Sequence, residues 1–150
     1  LYQWWDYEKN MMMSKQEIKE EFKQTEGDPQ IRGKIREKQR QIGMQRMMQQ
    51  VPQADAIIRN PTHYAVAIVY NEKKNKAPVV LAKGQDYVAQ KIIEIGMKHN
   101  IYIVENKPLA QTLYKTTEIG EEIPYDLYQA VAEILAYVYR TRRKLRGGSR

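Results

Sequence analysis

Thin apolar stripes in the first third of the chain give way to dense β-branched runs in the remainder. From Gln30 to Gln50 the apolar positions Ile31, Ile35, Ile42 and Met47 are sparse, and glutamine and basic residues fill most of the rest. That pattern predicts a helix that cannot be deeply buried. It is the second part of a helical arm over residues 14–50. The first part opens on a capping box, Ser14 with Glu17 three residues later, carries Ile18 and Phe22 on one face, and stops at Gly27. Asp28-Pro29 restarts helix with an N-cap and a proline at the first helical position, and Val51-Pro52 ends it. Met44, Met47 and Met48 form a stripe suited to adaptable packing.

After Pro52 the periodicity changes. Asp55 to Arg59 and Tyr64 to Tyr70 read as two strands, residues 71–76 as a polar loop, and Val79 to Ala82 as a third strand. Gly84-Gln85-Asp86 opens a helix with Val88, Ile92, Ile93, Ile95 and Met97 at the 3.6-residue period, and Asn100 caps its end. Ile101 to Val104 is a fourth strand. A short helix carries Leu109, Leu113 and Tyr114, and a last helix from Ile123-Pro124 carries Leu127, Val131, Ile134, Leu135, Val138 and Leu145. Strands interleaved with helices predict an α/β fold, a small mixed four-stranded sheet flanked by helices and preceded by the long arm. The sheet is expected to be mixed because the first two strands are too closely linked for a helical crossover. The expected divisions are a linker arm at 1–52, a compact domain at 53–146 and a flexible tail at 147–150, the last from Gly147-Gly148-Ser149.

Composition narrows the class. At 150 residues, 42% hydrophobic and 29% charged, the chain fits one ordinary domain with appendages. The longest uncharged run, Asn60 to Asn71, is too short to span a bilayer, and no basic-then-apolar secretory signal opens the sequence. Cysteine is absent, which removes thiol and disulfide chemistry and fits a reducing compartment. The start on Leu1 and not Met reads as that of a fragment. The aromatic cluster Tyr2, Trp4, Trp5 and Tyr7 fits either a chain leaving a membrane or an apolar segment packing on its own domain. A net charge of +7 favours an anionic neighbour. The charge gathers at Arg32, Lys34, Arg36, Lys38, Arg40 and Arg46, and again from Arg140 to Arg150. A solvated face is the plain reading of both runs, contact of residues 30–46 with an anionic membrane surface the sharper one for the first.

Few chemical kits are present. There is no Gly-rich phosphate loop, Gly-x-Ser-x-Gly elbow or His-Glu-x-x-His pair, and neither His63 nor His99 has a carboxylate at ligand spacing, so no metal or cofactor is expected. What stands out is Asn60-Pro61, set between the first two strands. Pro61 fixes its own φ and pushes Asn60 out of the α region, which suits a plain hairpin turn. Pro61 also offers no N–H to attack the Asn60 side chain, so the usual route to deamidation is closed. One intramolecular route remains: the Asn60 carboxamide nitrogen attacks its own backbone carbonyl, closes a succinimide and expels the Pro61 nitrogen. Orientation in a strained turn would supply most of the rate. His63 would serve as an accessory proton exchanger or buttress, and Thr62 would shape the turn through a local hydrogen bond.

Asn60-Pro61-Thr62-His63 resembles the signature of the FlhB/YscU family, the export-switch proteins of flagellar and virulence type III secretion systems. Glu26-Gly27-Asp28-Pro29, Val51-Pro52, Ala54-Asp55, Ala77-Pro78-Val79-Val80, Ala82-Lys83-Gly84 and Ile123-Pro124 followed by Ala130-Val131-Ala132-Glu133 are similar to the flagellar branch, in order, over nearly the whole chain. The resemblance implies cleavage between Asn60 and Pro61, with Asn60, Pro61, Thr62 and His63 as site residues and the two pieces staying together, a single event and not enzymatic turnover. It implies a domain on the cytoplasmic face of the bacterial inner membrane, anchored by a transmembrane domain that this chain does not include. It also implies a part in switching export from rod and hook proteins to filament proteins. The implied partners are the larger export-gate subunit, a hook-length ruler protein and export substrates, with no nucleic acid expected. Two alternatives remain open here: the virulence-system homologue, and a basic α/β nucleic-acid-binding module in which Asn60-Pro61 is only a turn.

Overall fold

The computed structural model describes residues 28–61 and 63–148. The expected capping box at Ser14, the helix up to Gly27, the aromatic start and Thr62 lie outside the described residues. Helix α1 (Pro29–Gln50) begins where the Asp-Pro pair predicts, with the Asp28 carboxylate accepting from the Gln30 N–H at 3.0 Å. None of its residues is buried, as its thin stripe requires. The described residues fall into two units, one ending at Met44 and the other starting at Gln45. No helix among them is long and apolar enough to cross a membrane.

In the second unit, a 3-10 turn at Val51–Gln53 leads into β1 (Ala56–Asn60), β2 (Tyr64–Val69) and β3 (Val79–Gln85). Helix α2 (Tyr87–Lys98), β4 (Tyr102–Glu105) and α3 (Lys107–Thr116) follow, and a second 3-10 turn at Tyr125–Leu127 opens α4 (Tyr128–Gly148). The four strands form one sheet in the order β3-β2-β1-β4. β1 pairs antiparallel with β2 and parallel with β4, and β2 pairs antiparallel with β3, so the sheet is mixed as expected.

The alternation of side chains along the strands builds two cores. On one face Ile58, Val66, Ile68 and Val80 meet Leu109, Ala110 and Leu113 of α3 and Val131, Leu135 and Val138 of α4. On the other, Ile57, Ala65, Ala67 and Ala82 meet Ala89 and Ile92 of α2, with Val51 at the edge. Three alanines on that face let α2 come close. A Cβ on Gly96 would collide with Ile57, and one on Gly84 would collide with Val88. This explains one departure from expectation: β3 runs on through Lys83, Gly84 and Gln85, and Gly84 marks a close approach of helix to strand, not the start of the helix. A second departure is that helix α4 continues through Gly147 and Gly148.

Helix ends follow local rules. Asn100 adopts φ 57° beyond α2, the Ile101 N–H reaches back to the Gly96 carbonyl at 2.9 Å, and the expected cap is in place. At the far end of β1, Asp55 joins three elements: its carboxylate accepts from the Tyr70 N–H at 2.9 Å and from the Arg142 guanidinium at 3.2 Å. Burial, and then the Asp55 carboxylate, push the nearby Tyr139 phenol above its ordinary pKa, against the opposing pull of Arg142.

Candidate functional site

Strand pairing ends at a chemically unusual point. Asn60 closes β1 and Tyr64 opens β2, and the two are register partners, so three residues of sequence, 61–63, connect the strands. The His63 N–H donates to the Asn60 carbonyl at 3.0 Å, closing a four-residue turn with Pro61 in its second position. Proline suits that position because its φ is already set there.

Burial then separates His63 from Asn60. His63 is exposed at the loop, whereas Asn60 is only 4% exposed. The Asn60 Oδ1 has no hydrogen-bond partner among the described residues, and it is the one buried side-chain polar atom so identified there. An unpaired buried amide oxygen costs about 1–3 kcal/mol, so its persistence calls for a compensating structure or a use. Asn60 therefore carries a buried carboxamide and, on the same residue, a backbone carbonyl already polarised by a donor. That donor stands where it would stabilise an oxyanion if the carbonyl carbon were attacked.

The surroundings hold this end of β1 from several sides. The Asn106 N–H donates to the Arg59 carbonyl at 3.0 Å, and the Asn106 side chain accepts from the Leu109 N–H at 3.2 Å as the N-cap of α3. One residue thus starts the helix and anchors the strand beside Asn60. Tyr64 stacks on Tyr114 with ring centroids 4.6 Å apart. Lys83 donates to the Tyr114 carbonyl at 2.9 Å and lies 3.4 Å from the Glu118 carboxylate, fastening the end of α3. On the loop itself, the His63 carbonyl accepts from the Asp86 N–H at 2.9 Å.

Of the residues expected at the site, Asn60, Pro61 and His63 lie together in the turn, and Thr62 is outside the described residues. Asn106, Tyr114 and Asp86 are not singled out as site residues by the sequence. The Asn-Lys-Pro run at 106–108 carries an N-cap signal that could have located Asn106, while nothing local links Asp86 to His63. Among the described residues, no group of three His, Cys, Asp or Glu side chains could hold a metal. His99 is the C-cap residue of α2, its backbone N–H donating to the Ile95 carbonyl at 3.1 Å.

Comparison with known proteins gives a consistent result. The chain is 54% identical over 145 residues to the flagellar biosynthetic protein FlhB of Bacillus subtilis (strain 168), an alignment covering 97% of this chain and 40% of that protein. It thus spans well under half the length of this relative. Its fold is similar to the crystal structure of the cytoplasmic domain of FlhB from Shewanella putrefaciens, at 48% identity and a TM-score of 0.65 over 69% of this chain and 80% of that one. It is also similar to a mutated EscU C-terminal domain in which an asparagine is replaced by alanine, at 28% identity and a TM-score of 0.59 over 61% of this chain and 92% of that one. The family model described as FlhB HrpN YscU SpaS matches residues 1–138, and the chain belongs to that family.

Proposed function

We propose that this chain is the cytoplasmic part of a flagellar protein-export component that cuts its own backbone between Asn60 and Pro61. The observation that carries the reading is the pair of groups on Asn60: a buried carboxamide whose oxygen has no partner among the described residues, and a carbonyl that accepts the His63 N–H at 3.0 Å. The Asn60 side-chain nitrogen attacks the Asn60 carbonyl carbon. The new C–N bond closes a succinimide, the bond to Pro61 breaks, and a proton passes from the carboxamide to the departing proline nitrogen. No water is consumed until the succinimide later opens. The chain's own contributions are orientation and the backbone donor on the developing oxyanion. His63 offers its exposed ring as an accessory proton exchanger, and Thr62 shapes the turn.

The topology gives the cut a defined consequence. β1 is an inner strand, paired with β2 on one side and β4 on the other, and it ends at Asn60. Cleavage frees the loop at one end while residues 1–60 stay bound to residues 61–150 through both ladders and both cores. In the whole protein, the remodelled loop takes part in changing export preference from rod and hook proteins to filament proteins, with the export-gate subunit, a ruler protein and the substrates as partners. Membrane attachment belongs to a domain outside this chain. Arg32, Lys34, Arg36, Lys38 and Arg40 of α1 add contact with anionic headgroups.

A denaturing gel of wild-type and Asn60→Ala chains tests the reading. Two bands for wild type and one full-length band for the variant are expected. A single wild-type band with intact Asn60, or continued cutting of the variant at that bond, overturns it.

A further inference from the structure

The corner between β3 and α2 holds a backbone conformation that its residue type disfavours. Asp86 has φ 53° and ψ −116°, a region open to glycine and rarely adopted by an aspartate. One other non-glycine residue among the described ones has a positive φ, Asn100, and there the conformation ends a helix in an ordinary way. Asp86 has no such account. Its side chain is exposed and makes no capping hydrogen bond to the helix it precedes. The Asp86 N–H, on the peptide that leaves β3, donates to the His63 carbonyl at 2.9 Å, and the turn at Asp86 brings its own carbonyl to the Gln90 N–H at 3.1 Å, so this residue ties the loop to the first turn of α2.

Across the sheet, Asn60, Tyr64 and Gln85 lie side by side as the last register partners of β1, β2 and β3. The Asp86–His63 bond extends that row by one step, beyond the sheet and onto the loop. His63 is consequently held through both of its backbone groups, its carbonyl by Asp86 and its N–H on the Asn60 carbonyl. With both of its backbone groups engaged, His63 is held against the Asn60 carbonyl from two sides.

We propose that Asp86 is a positioning residue for self-cleavage: its backbone N–H, carried between β3 and α2, holds the His63 carbonyl so that the His63 N–H stays on the Asn60 carbonyl as that carbon becomes tetrahedral. The inference rests on the self-cleavage reading above. It assigns the task to the Asp86 backbone and none to its carboxylate.

The test follows chains made by cell-free translation and sampled over time on denaturing gels, with thermal unfolding measured alongside. Asp86→Pro removes the N–H and cannot adopt a positive φ, so the contact with His63 is lost. It is expected to slow cutting at least about tenfold, part of the hundredfold or more that complete loss of an oxyanion donor costs. Asp86→Gly, which keeps the N–H and relieves the strain, and Asp86→Asn, which removes the charge and keeps the shape, are expected to cut within about threefold of wild type. In an uncut Asn60→Ala background, Asp86→Pro is expected to speed hydrogen exchange of the His63 amide about tenfold or more while the amides of β1 and β2 are unchanged, a local loosening that general destabilisation does not produce. Wild-type cutting with Asp86→Pro equally fast overturns this proposal and leaves the self-cleavage reading standing. A tenfold loss in Asp86→Asn also overturns it, by moving the task to the carboxylate. Absence of wild-type cutting overturns both.

Discussion

Asn60 is where sequence chemistry and folded geometry meet. Proline at position 61 closes the deamidation route by valence alone, which is why the candidate reaction is legible in the sequence. What the neighbouring residues could not reveal is that Asn60 is buried with a carboxamide oxygen that has no partner among the described residues, or that its carbonyl already has a donor. The donor is backbone, so the identity of the His63 side chain matters less than the place of its amide. His63→Ala keeps that amide, and a time course on denaturing gels should find cutting slowed by no more than about a hundredfold, the lower end of what one general acid or base contributes. Complete loss of cutting in a folded His63→Ala chain would instead make the imidazole indispensable.

The strands are readable because their runs are short, β-branched and separated by polar or proline-containing breaks. Their ends are not, since the ladder at Lys83, Gly84 and Gln85 depends on partners in β2, Val66, Ala65 and Tyr64, that are distant in sequence. Gly84 illustrates the problem: a glycine after a strand suggests a break, yet here it admits α2 against the sheet. Packing around β1 sets how firmly the two halves hold after a cut. Ile57 and Ile58 are fully buried, one on each face. Replacing either with alanine should cost about 2–5 kcal/mol. Gly96→Ala should cost about 1–3 kcal/mol, because the added methyl drives into Ile57. Denaturant titrations of the associated fragments should register both as lower midpoints; an unchanged midpoint for Ile57→Ala would mean that β1 is not central to the association.

For the whole molecule, the mixed sheet and its flanking helices follow from the order of elements, and the family resemblance in the sequence agrees with the relatives that the chain matches. The contact of Asp86 with His63 does not follow, because it joins residues from two separate connections and leaves no trace in either. The basic arm remains a charged, unburied helix whose use depends on its surroundings. Exchanging Arg32, Lys34, Arg36, Lys38 and Arg40 for glutamine should abolish sedimentation with anionic vesicles at low salt and leave cutting untouched. Equal sedimentation of both chains would remove the membrane contact.

The central claim is cyclisation of Asn60, and intact mass under denaturing conditions, followed from the earliest sampled time, tests it most directly. Cyclisation predicts two species, residues 1–60 and residues 61–150, whose masses at first sum to that of the uncut chain because the new end at Asn60 is a succinimide, and later exceed it by one water as that ring opens. A lone species at the full 17.7 kDa, or fragments that carry the extra water from the outset, would contradict it.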